Sequence, residues 1–368
     1  MTMRSTILLL IPHLGGGGAE QVTALWARSL SRERYDVHLG LVTQADCGSM
    51  GLPEWVTVHG LGARRVRSSA WSLLRLIRRL RPSLIVSGMA HLNFLVLLLR
   101  PLFPRATRVL VRQNSTVSSA LAFGDLPRGT RLLYRLLYPF ADGVICQTES
   151  MAADLVRETG IPPHRIAVVP NPLDVDAIRS EAGQSQWTGA GPHLLAVGRL
   201  APVKGFDLLL RALAQVRRHF PRTDLVIAGV GPEEAALRAL SGDLGLSEAV
   251  RFAGYVRRPA MYFPGATAFV LSSRHEGLPN ALLEAAAAGL PIVALPSSGG
   301  VVDLLRGQPG IWLAPEISAE SLAADLHAAL EVLRPNQRFQ HVFIEPYQLN
   351  RALTVVQSLI DRTLKVRP

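Results

Sequence analysis

The 368 residues exceed what one ordinary hydrophobic core organises and suit two domains of roughly 150–200 residues each. With 48% hydrophobic and 18% charged residues the chain has a globular composition, which excludes extended disorder. The net charge of +11 is unevenly placed: residues 1–170 hold 20 Arg, no Lys and 10 acids, whereas residues 171–368 hold 17 Arg, 2 Lys and 18 acids. The first half is therefore expected to meet an anionic partner.

In chain order, Thr6–Ile11 is an apolar run too short for a signal peptide and reads as a buried strand. The loop Gly15-Gly16-Gly17-Gly18-Ala19-Glu20 follows it, at the start of the helical stretch Ala19–Ser31. Glycines there let backbone N–H groups approach a phosphate or sugar, and the helix start adds a positive dipole end. The plainer alternative is a loop that only makes the turn. The spacing is not G-x-G-x-x-G, and no acid about 20 positions on supports a nicotinamide ribose site. His13, just before the loop, is one possible cleft residue.

Further strands are expected at Val37–Val42, Leu84–Ser87, Arg108–Val111, Gly143–Cys146 and Ile166–Val169. His91 lies at the end of one and Arg112-Gln113-Asn114 at the end of another, and the residues alone do not choose between them as cleft groups. Arg64-Arg65-Val66-Arg67 leads into Trp71–Arg81, a basic amphipathic helix with an interfacial Trp, and Arg128–Tyr138 is a second such segment. Both read as contacts with an anionic membrane surface; the alternative is an ordinary helix burying its apolar side. The apolar stretch Leu92–Phe103 is broken by Arg100 and Pro101 and cannot span a bilayer, so a soluble or peripheral protein is expected. Aromatics do not interleave with the arginines, and nucleic acid is not an expected partner. The two cysteines, Cys47 and Cys146, fit neither a disulfide framework nor a metal spacing, which points to the cytoplasm.

Ser180–Pro192 is polar and glycine-rich and is the expected boundary, giving domains 1–185 and 186–347. Strands are then expected at His193–Val197, Asp224–Ala228, Val250–Phe252, Ala268–Leu271 and Pro291–Ala294. Most of the runs are continuously apolar and alternate with helical stretches, the pattern of two doubly wound α/β domains with parallel sheets. Gln348–Leu364 is a last helix, expected to return to the first domain.

Two motifs in the second half carry chemistry. In Gly198-Arg-Leu-Ala-Pro-Val-Lys-Gly205, Arg199 can fork across two phosphate oxygens while Lys204 acts as a mobile point charge, and Asp207 reads as a helix N-cap. Lys204 is one of only two lysines beside 37 arginines, so its presence is selective. In Arg274-His-Glu-Gly-Leu-Pro-Asn-Ala-Leu-Leu-Glu284, Glu276 lies in a loop and Asn280 opens a helix. The amides at that helix start can receive an anion, and Glu284 can bind a vicinal diol such as ribose.

The order GRLxxxKG, IAGVGPEE, GY…P and SxxEGLPNALLEAAAAGLPIVA resembles glycosyltransferase family 4, as do HLGGGGAEQV and Val169-Pro-Asn-Pro172, over roughly residues 7–315. The resemblance implies a GT-B fold, two Rossmann-like domains facing an interdomain cleft. It implies that Arg199 and Lys204 hold the donor diphosphate and that Gly15, Gly16 and Gly17 close over it. Glu284 would bind the ribose, Glu276 would face the sugar near the anomeric centre, and the amides of Gly277, Leu278, Pro279 and Asn280 would contact sugar and phosphate. Family members generally retain anomeric configuration and use no bound metal. The family's histidine near the sugars has His91 as its candidate here, and Asp303 stands where the family has its acid after a Gly-Gly turn.

The expected function is transfer of a hexose or N-acetylhexosamine from a UDP- or GDP-sugar to a lipid-linked or polysaccharide acceptor, at the inner face of the cytoplasmic membrane. The alternatives are an epimerase or hydrolase of the same fold, or a non-catalytic nucleotide-sugar-binding subunit.

Overall fold

A computed structural model describes residues 4–15, 17–43, 51–122, 129–180 and 185–365. Gly16, Cys47 and Arg128 lie outside the described residues. The chain divides into two units, Met1–Pro172 with Leu349–Pro368, and Leu173–Gln348.

The first unit is built on seven parallel strands: β1 (Ser5–Ile11), β2 (Tyr35–Leu41), β3 (Thr57–Gly60), β4 (Leu84–Gly88), β5 (Arg108–Arg112), β6 (Gly143–Cys146) and β7 (Ile166–Val168). Their order is β3-β2-β1-β4-β5-β6-β7. The unbroken apolar run of β1 is explained by what covers it. Ile7, Leu9 and Ile11 pack with Trp26, Val37 and Leu84, while Leu8 and Leu10 pack with Leu73, Ile77 and Val96 in a separate cluster. Side chains alternate across a strand, so helices on both faces demand apolar residues at every position.

The second unit repeats the plan with six strands: β8 (His193–Val197), β9 (Asp224–Ala228), β10 (Val250–Gly254), β11 (Ala268–Leu271), β12 (Ile292–Ala294) and β13 (Ile311–Leu313). They lie parallel in the order β10-β9-β8-β11-β12-β13. Leu194 and Ala196 face Leu209 and Leu326, whereas Leu195 faces Phe269 and Leu283. Strand order reverses between β1 and β4 in one unit and between β8 and β11 in the other. In open α/β sheets, the crevice beyond the strand C-termini at such a reversal is where ligands bind.

One expectation needs correction. The units part at 172/173, not at 185/186. The polar stretch after Ser180 is part of the second unit, where Trp187 stacks on His193 at 4.8 Å and donates from Nε1 to the Tyr262 carbonyl at 2.8 Å. The helix Ala70–Leu80, read as a basic membrane-surface contact with an interfacial Trp, buries Leu73, Leu74, Leu76 and Ile77 in the core and leaves Trp71 exposed.

The terminal helix Leu349–Lys365 packs with the first unit: Leu353, Val356 and Ile360 join the cluster around Ile7 and Trp26. Its Asp361 accepts hydrogen bonds from Arg34 and, at 2.7 Å, from Tyr35 Oη. Among the described residues no helix is long and apolar enough to cross a membrane.

Candidate active site

Most of the described candidate residues follow the C-terminal ends of β1, β4, β8 and β11, the strands at the two reversal points. In the second unit, β8 delivers Gly198–Gly205 and β11 delivers Ser272–Asn280. The two loops meet backbone to backbone. Gly205 has φ +61°, and a Cβ there would stand 2.1 Å from the Ser272 carbonyl oxygen, so only glycine fits. A Cβ on Gly229, in the turn after β9, would likewise lie 1.9 Å from the Gly198 oxygen.

That packing brings Lys204 and Glu276, 72 positions apart in sequence, into contact. Lys204 Nζ donates to Glu276 Oε1 at 2.6 Å, and Ser273 Oγ donates to the same oxygen at 2.6 Å. Glu276 is buried, and a buried carboxylate needs such a partner. Arg274 braces the first loop: its backbone amide donates to the Val203 carbonyl at 2.8 Å, and its guanidinium to the Pro202 carbonyl at 2.8 Å. The same guanidinium binds Asp207 through both oxygens, at 2.7 and 2.6 Å.

Asp207 is thus not a helix N-cap. The helix Phe206–Val216 starts from Gly205, and Asp207 sits in its first turn. Burial alone would raise the Asp207 carboxyl, but the hydrogen bonds and charge of Arg274 outweigh it and hold it below the usual carboxylate range. The reciprocal hydrogen bonds raise the Arg274 guanidinium. Neither Ser273 nor the Arg274–Asp207 brace was legible as part of the site, although Arg274 opens the second motif and Ser273 and Asp207 adjoin the motifs.

Gly277, Leu278 and Pro279 are buried and lead into the helix Asn280–Ala287. A helix start of this kind offers backbone amides that can receive an anion. Glu284 lies one turn into that helix and is half-buried, and Arg199 is exposed after β8.

In the first unit the glycine loop follows β1. The Gly15 amide donates to His13 Nδ1 at 3.1 Å, and His13 Nδ1 lies 3.5 Å from Glu20 Oε1. Glu20 is buried, and a Cβ on Gly17 would stand 2.5 Å from its Oε2. Gly17 therefore makes room for Glu20. His91 follows β4, the neighbour of β1, and is the second residue of the helix Ala90–Leu99. Partial burial and the nearby charge of His13 hold its imidazole below the ordinary histidine range. Met89, just before that helix, has φ +75°, a strained conformation for a side chain of its size.

Arg112, at the end of β5, is fully buried under the Trp26 ring, 5.3 Å from its centroid. It donates to Asn114 Oδ1 at 2.5 Å and to Asn171 Oδ1 at 2.6 Å. Burial pulls its guanidinium down to about 10, while the charge of Glu20 acts the other way. Arg112 thus locks loops together from inside, and His91 is the more accessible of the two candidates.

Two Rossmann-like parallel-sheet units with chemistry-bearing loops at their reversal points define the GT-B glycosyltransferase fold. HepE of Anabaena, solved in complex with UDP and glucose, superposes with a TM-score of 0.78 at 17% identity, over 98% of this chain and 100% of its own. The family model described as Glycosyltransferase Family 4 matches residues 16–177, and that described as Glycosyl transferases group 1 matches residues 178–341. The chain belongs to glycosyltransferase family 4, and it is a glycosyltransferase. The lipopolysaccharide core biosynthesis glycosyltransferase LpsE of Rhizobium meliloti is 30% identical over 253 residues, 68% of this chain and 70% of its own. An N-acetylgalactosamine-N,N'-diacetylbacillosaminyl-diphospho-undecaprenol 4-alpha-N-acetylgalactosaminyltransferase of Campylobacter jejuni is 28% identical over 327 residues, 85% and 86% of the two chains.

Proposed function

We propose that this chain moves a hexose or N-acetylhexosamine from a UDP- or GDP-sugar, with retention, to a lipid-linked or polysaccharide acceptor in envelope glycan synthesis. The observation that carries the donor assignment is the Lys204–Glu276 contact at the β8/β11 reversal, beside the N-terminus of the helix Asn280–Ala287. A cation, a carboxylate and a helix start converge where a sugar diphosphate would offer phosphates, hydroxyls and an anomeric carbon. Arg199 and Lys204 are assigned to the diphosphate, Glu284 to the ribose hydroxyls, and Glu276 to the donor sugar. The amides of Gly277–Asn280 are assigned to sugar and phosphate.

In the proposed step the bond from the anomeric carbon to the diphosphate oxygen breaks, and the acceptor oxygen bonds to the same face of that carbon. The acceptor proton passes to the departing phosphate oxygen. Arg199, Lys204 and the helix amides stabilise the charge that develops on the diphosphate, so the scheme needs no bound metal. His91, its imidazole held below the ordinary histidine range, is assigned a hydrogen bond to a sugar hydroxyl.

The relatives' names support the acceptor class: the Campylobacter jejuni protein is named for a diphospho-undecaprenol-linked saccharide, and LpsE for lipopolysaccharide core biosynthesis. A GDP-mannose-dependent phosphatidylinositol monomannoside mannosyltransferase of Mycolicibacterium smegmatis is 36% identical over 148 residues.

Replacing Arg199 or Lys204 by Ala removes a charge-assisted contact of roughly 1.5–3 kcal/mol, which should weaken nucleotide affinity about 10- to 100-fold by calorimetry. Lys204→Ala also strands Glu276, so Lys204→Ala with Glu276→Gln separates lost phosphate binding from lost neutralisation. Unchanged nucleotide affinity in both Lys204 variants would sink the diphosphate assignment. Transfer that stops in EDTA would sink the metal-free scheme.

A further inference from the structure

In the helix Ala90–Leu99, which follows β4, His91 and Asn93 are the only polar residues. Asn93 is fully buried, where a leucine would fill the space without polar atoms to satisfy. Its Nδ2 donates to the carbonyl of Arg112, the last residue of β5, at 3.0 Å, and to Tyr138 Oη at 3.2 Å. Its Oδ1 has no partner among the described residues, so the side chain leaves one buried acceptor unpaired. An amide is thus held in an apolar helix at a position where filling the core does not call for one.

The turn before the helix gives the amide its use. Met89 has φ +75° and ψ 129°, and such a backbone persists only where its surroundings hold it. Asn93 holds it in two ways. Its backbone amide donates to the Met89 carbonyl at 2.9 Å, and its side chain fastens the same helical turn to β5. His91 lies between Met89 and Asn93 in the chain, so its ring is carried by the turn that Asn93 fastens. Tyr138 Oη in turn donates to Gln113 Oε1 at 2.8 Å, and Gln113 Nε2 donates to the Ser115 carbonyl at 2.9 Å. The start of the helix and the loop after β5 therefore share one buried network.

We propose that Asn93 is a positioning residue, whose side-chain amide ties the strained turn at Met89 to the Arg112 carbonyl and so fixes where His91 stands. This role rests on the assignment of His91 to a sugar hydroxyl and extends it to the residue that sets the imidazole in place. Replacing a side chain that only fills the core lowers stability. Asn93→Leu instead removes an unpaired acceptor, and exchanging a polar group for an apolar one of similar size can be nearly neutral. Its effect should therefore fall on His91 more than on the melting temperature.

The test is the titration of His91 in the full chain, followed by heteronuclear NMR of labelled histidine, with its resonance assigned by its loss in His91→Ala. In the unaltered chain partial burial and the charge of His13 hold the imidazole below the ordinary range. Asn93→Leu should release the ring to titrate nearer the ordinary value of about 6.5. Tyr138→Phe, which keeps the bond from Asn93 to Arg112, should leave the titration where it is. Asn93→Ser, whose side chain is too short to reach β5, should act as Asn93→Leu does and replaces it if the leucine variant does not fold. An unmoved titration in the folded Asn93 variant, or an equal movement in Tyr138→Phe, would overturn the proposal. Transfer is read on the same preparations, with UDP-N-acetylglucosamine, UDP-glucose and GDP-mannose as donors and an undecaprenyl diphosphate-linked sugar as acceptor. In Asn93→Leu kcat should fall about tenfold with the donor KM unchanged, and nothing further should be lost when His91→Ala is already present. Undiminished kcat where His91→Ala loses it, or a further loss in that background, would also overturn it. Full turnover in His91→Ala alongside a moved titration would strike the sugar assignment alone.

Discussion

Arg274 and Asp207 are side chains from different motifs whose joint effect is to hold Lys204 where Glu276 can reach it. Their forked pair fixes the start of the helix Phe206–Val216 against the loop after β11. Because the folded-state carboxyl of Asp207 lies below its unfolded value, its contribution to stability is complete above the ordinary carboxylate pKa of about 3.9. It is lost as pH falls from there through the lowered folded value. Asp207→Asn should therefore destabilise the chain at neutral pH and flatten the fall in melting temperature below about pH 4. Thermal melts of both proteins from pH 7 to pH 2.5 check this. Parallel curves over the acid range would show that the pair carries no pH-dependent stability. The same two residues show where sequence reading stops. Asp207 has the type and position of an N-cap, and only the fold reveals that an arginine 67 positions away takes its carboxylate.

At the scale of elements, what the sequence discloses tracks burial. Strands covered on both faces, such as β1 and β8, announce themselves as unbroken apolar runs. The two that went unanticipated, β3 (Thr57–Gly60) and β13 (Ile311–Leu313), close the edges of their sheets and are at best half-buried, so no apolar run marks them. The site divides in the same way. Arg199, Lys204, Glu276 and Glu284 are recognisable from residue type and spacing, but the Lys204–Glu276 bond depends on two loops approaching at Gly205. Gly205→Ala makes that approach measurable. The left-handed φ alone costs a side chain roughly 1–2 kcal/mol, and the added Cβ must also displace the Ser272 carbonyl. At Gly245, with φ +69°, an added Cβ would meet nothing within 4 Å, so only the first cost applies. In urea unfolding Gly205→Ala should lose clearly more stability than Gly245→Ala, and only the former should weaken nucleotide binding. Equal losses would mean that the loop contact contributes nothing.

For the whole molecule the consequential feature is that the first unit is completed by a helix that follows the second. The cluster around Ile7, Trp26, Val37 and Leu84 is closed by Leu353, Val356 and Ile360 of the helix Leu349–Lys365, which the chain supplies after completing the second unit. Full burial of each such side chain is worth roughly 1.5–3 kcal/mol, an upper estimate for a helix that is partly compact before folding. Three of them approach about 5–9 kcal/mol, comparable with the entire stability of an ordinary domain, roughly 5–15 kcal/mol. Arg34 and Tyr35 would also lose their partner Asp361. A chain ending at Gln348 should therefore keep a second unit that melts near its normal temperature, because the core around Leu194, Leu209 and Leu326 uses nothing beyond that residue. The first unit should melt at far lower temperature or be cleaved by protease at low enzyme ratios. Calorimetry of the two chains, with proteolytic fragments mapped by mass spectrometry, reads both units separately. A truncated chain whose residues 1–172 resist protease as well as the full chain does would show that the returning helix is an accessory and that the first sheet holds without it.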